Sequence, residues 1–355
     1  MMAAGVLALI SAAHRAEAVS ANSTVTQGDV FVLSNNLNGL FQLENGTPAG
    51  GVVTYGSGAV EQLGGIFADA TGFYLAGNPA TGPTVEKISL GQTTSVPLLG
   101  PADFVGGGGT LLRDVVVLES GTIFTLYSNG AVDQFLPNGL GGYTRTAVGT
   151  MTGFTNADRG NGHQLSLSLN GEYLITSSRT QNRIWSLGIS SGTVQQWAPP
   201  TGLMGPVSNI QLTLSATSVL DTVRGDRLLV PMSNDGLYEV AFDPATGNFP
   251  EAVPFRLSND TVVTFIDGVA FDADGDLMLS MRNDGSIGSL REFSKSELAA
   301  ASAGSPITIF AKTAYYTGPD VRVARDVAVV VPEPSVVGLL VGALGCLVSR
   351  RRRAA

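Results

Sequence analysis

Asp267-Gly-Val-Ala-Phe-Asp-Ala-Asp-Gly-Asp-Leu-Met-Leu-Ser-Met-Arg-Asn-Asp-Gly-Ser-Ile-Gly-Ser289 holds short apolar runs divided by two polar turns. Gly268 to Phe271 reads as one strand, Leu277 to Ser280 as a second and Gly285 to Ser289 as a third. Each run is too short for a stable helix, and the turns are rich in Asp, Asn and Gly. Asn and Gly accept positive φ at little cost, which tight hairpins demand. The stretch therefore predicts a meander of antiparallel strands.

The same signature recurs along the chain. Second strands are predicted at Phe31-Val-Leu-Ser34, Phe73-Tyr-Leu-Ala76, Ile123-Phe-Thr-Leu126, Tyr173-Leu-Ile-Thr176, Leu228-Leu-Val-Pro231 and Leu277-Met-Leu-Ser280. Their starts are 42, 50, 50, 55 and 49 residues apart. Five have a strand ahead of them, as in Asp114-Val-Val-Val-Leu-Glu-Ser-Gly121. Most have one after them: Gly39 to Leu43, Gly130 to Gln134, Arg183 to Leu187, Gly236 to Val240. A three- or four-stranded unit every 40 to 55 residues is the repeat of a β-propeller, so the fold class is all-β and the unit count is six. An irregular sandwich and a seven-bladed ring with one degenerate blade are the competing readings. The first unit lacks its leading strand, while Arg325-Asp-Val-Ala-Val-Val330 stands alone near the other end. Pairing the N- and C-terminal strands would complete that blade and close the ring.

The two ends set the compartment. Ala3 to Ala13 is an apolar run of signal-peptide length, and Ala16-Glu17-Ala18 places small residues where a signal peptidase reads. Residues 1–18 are thus expected to be removed and 19–330 to form the propeller. No basic residue precedes the apolar run. At the other end come Val331-Pro332-Glu333-Pro334-Ser335, the uncharged Val336 to Ser349, and Arg350, Arg351, Arg352 and Arg353. The prolines block helix continuation, and the arginines form a stop-transfer cluster that stays cytoplasmic. As a helix the uncharged part reaches about 21 Å, less than the roughly 30 Å hydrocarbon core, so length alone makes a marginal span.

This order of Pro-Glu-Pro, short membrane helix and terminal basic cluster resembles the PEP-CTERM sorting tails of bacterial surface proteins. The resemblance covers residues 331–355. It implies recognition by an exosortase, a membrane transpeptidase-like enzyme, with transient anchoring in the inner membrane before delivery to the envelope or outside. It also implies a Gram-negative-type cell that makes extracellular polysaccharide, itself a candidate partner alongside other envelope components. A plain stop-transfer anchor is the simpler alternative.

Charge and composition remove several function classes. The formal net charge is −9, and five of the 20 basic residues (Arg15 and the four terminal arginines) lie in the two end segments, so the body is more acidic still. Such a surface repels phosphate backbones, and no nucleic-acid partner is expected. Membrane contact is expected only through the tail. Cys346 is the one cysteine and lies in the tail, which leaves the body no disulfide, thiolate nucleophile or cysteine zinc site. Of the two histidines, His14 is in the signal segment and His163 stands alone.

Within the body, the Asp-Gly-(apolar)3-Asp-x-x-Gly-x-Leu pattern of Asp267 to Leu277 is similar to a segment of six-bladed propellers of the gluconolactonase/regucalcin (SMP-30-like) and NHL types. In the lactonases the first aspartate of that segment binds the catalytic divalent metal, which would make Asp267 a hard oxygen ligand at the central channel. The chain departs from that family. His163 stands ahead of Leu165-Ser-Leu-Ser168, where the lactonases carry an asparagine ligand, and their N-terminal Glu has no counterpart. Asp272, Asp274 and Asp276 offer a second metal reading, a local loop clasping Ca2+. The glycine falls early for an EF-hand and Asn283 occupies position twelve.

Gly188-Ile-Ser-Ser-Gly192 matches G-x-S-x-G but joins two β segments with no histidine after it, so a hairpin turn is expected rather than a nucleophile elbow. Gly106 to Gly109 lacks the Lys and the strand-loop-helix setting of a phosphate cradle. Trp185 and Trp197 can be sugar platforms or core residues, and core is the expectation. No catalytic residue is assigned. The chain reads as an exported, surface-sorted propeller acting as a binding or structural module; the alternative is a metal-dependent hydrolase of lactonase type with Asp267 as ligand.

Overall fold

In the computed structural model, the residues described are 21–330, apart from 22, 35–38, 45, 51–52, 55–61, 80, 109–110, 155–163, 201–212, 215–218, 222–226, 234–235, 261–265, 273, 283–287 and 319–323. The segments expected to be a signal peptide (residues 1–18) and a sorting tail (residues 331–355) lie outside them. The strands form six antiparallel sheets arranged as a six-bladed propeller. All six predicted second strands are present, as Val30–Ser34, Gly72–Asn78, Ile123–Tyr127, Tyr173–Ser178, Arg227–Ser233 and Leu277–Arg282. Blades 1 to 6 are numbered by these strands.

The ring closes as expected from the sequence. Ala324–Val329 is the innermost strand of blade 1, with Val30 opposite Val329, Phe31 opposite Ala328 and Val32 opposite Val327. The ladder runs on to Val330, whose N–H donates to the Asp29 carbonyl (3.0 Å) and whose carbonyl accepts from Gly28 N–H (2.8 Å). Asp29 is held in turn by Thr26 N (2.8 Å), Thr26 Oγ1 (2.9 Å) and Gln42 Nε2 (2.9 Å).

Each pair of neighbouring blades shares one apolar core, and six such cores complete the circle. This explains why the second strands read as near-continuous apolar runs rather than alternating ones. In Val30-Phe-Val-Leu33, Val30 and Val32 pack toward blade 6 while Phe31 and Leu33 pack toward blade 2. A strand buried on both faces needs apolar residues at every position, each contributing about 1.5–3 kcal/mol of transfer free energy. Phe31 stacks on Phe73 across the blade 1–2 core at 4.2 Å.

Three inner strands carry a one-residue bulge at the same register, four pairs in from the hairpin. The extra residue is Arg113 in blade 3, Asp267 in blade 6 and Arg325 in blade 1. Blade 2 has its irregularity at the matching place, Gly64-Gly65. In this register Asp114 and Asp326 correspond to Gly268, and Asp267 corresponds to Arg113 and Arg325.

Blade 5 is the irregular one among the described residues. Its inner strand comes in two pieces, Val219–Leu220 opposite Leu228 and Leu229, and Thr213–Leu214 opposite Met232 and Ser233. Among the described residues Val230 and Pro231 have no inner-strand partner, and Pro231 has no N–H to offer one. In blade 6 the described third strand is Gly288–Phe293, and the expected start at Gly285 lies outside the described residues. Its outer strand Ala314–Gly318 follows an excursion containing the helix Lys295–Ser302. Ser294 caps that helix, accepting from Glu297 N (3.2 Å), while Glu297 accepts from Ser294 N (2.8 Å). Asp260 then anchors the return by accepting from Ile309 N (2.7 Å) and Phe310 N (3.2 Å).

Candidate functional site

The loops joining inner to second strands share one face of the ring, because all inner strands run the same way around it. On that face lie residues 69–71, 118–122, 168–172 and 272–276, and the closing strand ends there at Val330. These four loops contain Asp69, Glu119, Glu172, Asp272, Asp274 and Asp276 and no Lys or Arg. The 118–122 and 272–276 loops fold alike. In each the N–H of the first residue donates to the carbonyl of the fifth (2.9 Å in both), and the fourth is a glycine at φ +80° and +83°.

The 272–276 turn presents the metal-ligating candidates. One carboxylate oxygen each from Asp272, Asp276 and Glu292 lies within 4.8 Å of the others. That spacing suits a divalent cation with oxygen ligands at about 2.3–2.6 Å, so the cluster can hold a metal ion. Its members differ from the loop of Asp272, Asp274 and Asp276 read as one metal possibility from the sequence. Asp274 is exposed and stays outside the cluster, because Asp272 Oδ1 folds back to accept from Asp274 N and Asp276 N, both at 2.9 Å. Glu292 takes its place from the third strand. Phe293 pairs with Leu277, so Glu292 stands opposite Met278 beside the hairpin mouth.

The electrostatics of the three acids are those of crowded like charges. Burial pushes the Asp272 carboxyl up, with the Asp276 and Asp274 charges adding to the rise and the two backbone N–H donors opposing it. Burial likewise raises Glu292, reinforced by Asp272 and Asp276 and partly relieved by Lys312. The Tyr315 hydroxyl is raised by burial and by the Glu292 charge. Asp276 Oδ1 also accepts from Lys295 N at 2.8 Å, tying the cluster to the first turn of the helix.

The other end of the inner strands holds the position of Asp267, whose side chain lies outside the described residues, as does His163. At this level the described polar groups bind blades to one another. Asp114, buried, accepts from the Leu165 N–H of blade 4 and lies against Gly65 of blade 2. A Cβ at Gly65 would fall onto that carboxylate, 2.6 Å from Asp114 Cγ, and 2.9 Å from the Arg113 carbonyl, so glycine is what permits the two inner strands to approach. Gln164 Nε2 reaches from blade 4 past the interrupted blade 5 to the Val269 carbonyl of blade 6, at 2.8 Å.

The remaining sequence candidates are structural. Trp185 and Trp197 are buried in the blade 3–4 and blade 4–5 cores, with indole N–H groups donating to the Thr152 (3.2 Å) and Glu251 (3.0 Å) carbonyls. Gly188 to Gly192 is a hairpin turn closed by Gly192 N to Gly188 O at 2.9 Å. The start of the glycine run is held by Arg145, which donates to the Val105 (2.8 Å) and Gly106 (2.5 Å) carbonyls while pairing with buried Asp133 at 2.9 Å. A Cβ on Gly107 would meet the Phe104 carbonyl and the Tyr127 hydroxyl, both at 2.9 Å. The described start of the run, Gly106 and Gly107, packs beside the Arg145–Asp133 ion pair.

No protein-family model matches the chain, and no curated protein does either. Solved structures do resemble it. A Bacteroides caccae protein of unknown function aligns with a TM-score of 0.54 at 11% identity, over 86% of this chain and 99% of that one. A Lactobacillus plantarum protein aligns at 0.47 with 13% identity over 85% and 99%, and the Neurospora crassa Pan2 WD40 domain at 0.37 with 12% identity over 65% and 62%. At such identities the likeness concerns the fold alone, and the chain is a six-bladed β-propeller.

Proposed function

We propose that this protein is an exported, exosortase-sorted propeller that works at the cell surface or in the extracellular matrix as a binding or structural module. The observation that carries the reading is the way the chain ends. The ring is completed by its own last strand, and Val330, the last residue of that ladder, lies two residues before Pro332 of the sorting-type tail. The described ladder closes the ring at Val330, and the Pro-Glu-Pro, apolar and arginine features follow it in the sequence from Val331 to Ala355. Replacing Pro332, Glu333 and Pro334 by alanine in the native cell tests it. The altered protein should stay in the inner membrane with its tail attached, while the natural protein reaches the surface fraction. Equal delivery of both to the surface would refute exosortase sorting.

A further inference from the structure

Independently of how the chain is sorted, we infer that the outer edge of blade 3 docks a second copy of this chain, the two edges pairing antiparallel so that one sheet runs across both rings. The starting observation is how this rim differs from the others. The outer strand of blade 3 is Tyr143–Thr150, eight residues long. Among the described residues the outer strands of the other blades span two to five residues. Three of those are also guarded in the ways that keep exposed sheet edges from pairing. Pro97 interrupts the edge of blade 2. In blade 5 the chain runs on into a parallel bridge, with Ile307 N–H donating to the Leu257 carbonyl (2.9 Å) and Asn259 N–H to the Ile307 carbonyl (3.0 Å). In blade 6 a turn of blade 1 lies against the edge, where a Cβ on Gly46 would stand 3.4 Å from the Tyr315 carbonyl oxygen.

In an antiparallel ladder successive residues turn their N–H and C=O groups to opposite sides. The hairpin bond from Asn138 N–H to the Gly142 carbonyl (2.9 Å) sets the phase. Thr144 and Thr146 therefore bond to the neighbouring strand Ala131–Pro137, while Tyr143, Arg145 and Ala147 turn their backbone groups outward. Among the described residues no strand lies beyond them, since Tyr143–Thr150 ends its sheet. The free stretch stops after Ala147. There the register shifts, and Gly149 packs on blade 4, where a Cβ would stand 3.1 Å from Leu187 Cδ1. The stretch is also held straight, because Arg145 donates to the Val105 carbonyl (2.8 Å) and pairs with buried Asp133 (2.9 Å). A strand already fixed in its paired shape loses little freedom on docking.

The chemistry of this edge selects a second copy as its occupant. From Gln134 to Ala157 the only charged residue is Arg145, in a chain whose formal net charge is −9. Two acidic bodies repel each other, and a rim without carboxylates is where they can approach. Each Arg145 is already matched by its own Asp133, so the rim offers no free charge to select an acidic or basic foreign segment. Thr144 and Thr146 stand exposed on one side of the strand, and threonine pairs across neighbouring strands are favourable. Leu136 and Leu140, 41% and 91% exposed, add apolar surface at the same hairpin. Antiparallel pairing of one strand with its own copy is a two-fold contact, which closes on itself as a dimer.

Sedimentation equilibrium of the protein purified from the native cell measures the pairing. The natural protein should dimerise reversibly with a dissociation constant below about 1 mM. Exchange of the Tyr143, Arg145 and Ala147 amides should slow at least ten-fold between dilute and concentrated samples. Added salt should tighten the dimer by screening the two acidic bodies, whereas an interface built on ion pairs would loosen. Ala147→Pro removes an outward N–H and no ladder bond. Thr144→Lys with Thr146→Lys sets like charges against each other in antiparallel registers centred on Thr144, Arg145 or Thr146. Each change should weaken dimerisation at least ten-fold and leave the melting temperature of the monomer unmoved; if the proline variant does not fold, the lysine variant decides. A natural protein that stays monomeric at about 1 mM, or a lysine variant that dimerises as well as the natural protein, would overturn the inference. So would edge amides protected only once a cell extract is added, since the edge would then belong to a foreign strand.

Discussion

Gly65→Ala isolates the claim that the inner strands of blades 2 and 3 meet so closely that a single methyl group is excluded. The new Cβ would fall onto the Asp114 carboxylate and 2.9 Å from the Arg113 carbonyl. The side chain of Asp114 can turn away, but doing so gives up the bond from the buried Leu165 N–H. Leaving a buried group without its charged partner costs about 1–3 kcal/mol, and overpacking against backbone adds about 1–3 kcal/mol. The expected loss is roughly 2–6 kcal/mol, a large share of the 5–15 kcal/mol typical of a folded domain. Urea unfolding of the mature protein followed by tryptophan fluorescence measures it, since Trp185 and Trp197 lie in two different inter-blade cores. Asp114→Ala makes room for the methyl group, so the double variant should be more stable than the sum of the two single losses predicts. A Gly65→Ala protein within 1 kcal/mol of natural stability, or strict additivity, would refute the reasoning.

Other consequences are as direct. A chain ending at Val331 should unfold as cooperatively as full-length mature protein, whereas one ending at Pro319 loses the Ala324–Val329 strand and should aggregate or melt without cooperativity; equal melting curves would show that the strand does not close the ring. Glu292→Gln removes one of three crowded carboxylates, so in EDTA it should raise stability by about 0.2–1 kcal/mol. Millimolar calcium should raise the natural melting temperature and leave that of Glu292→Gln unmoved; a calcium response in both would place the cation elsewhere. At Glu297 burial raises the carboxyl, but Lys312 and the Ser294 donors more than offset this and hold it below its ordinary value. A depressed acid stabilises the fold above its unfolded pKa of about 4.3 and loses that contribution as pH falls through its lower folded value. Glu297→Gln should therefore flatten stability against pH below about pH 4, and parallel curves would contradict the capping role.

Much of the ring was legible because blades are sandwiched on both sides. A strand buried on both faces announces itself as an unbroken apolar run, and all six runs proved to be second strands. The closing strand was legible by subtraction, one leading strand short at the start and one spare at the end. What the pattern could not give was register, because a bulge adds one residue without changing the apolar character around it; Asp114 and Asp267 stand one position apart. Glu292 went unnoticed as a ligand candidate because its role comes from pairing opposite Met278, and nothing near it in sequence marks the hairpin it faces. The helix Lys295–Ser302 did carry a signal, the Ser294-x-x-Glu297 box, which the β composition of the rest of the chain obscured.

The account's central claim is that a closed propeller is delivered to the surface and its tail left behind. The intact mass of the protein recovered from the surface of the native cell tests this most directly. The account predicts a chain that begins at Val19 and ends near Pro332, with no molecule carrying Leu339 to Arg353. A surface protein that still ends in Arg350-Arg-Arg-Arg353-Ala-Ala355 would contradict it.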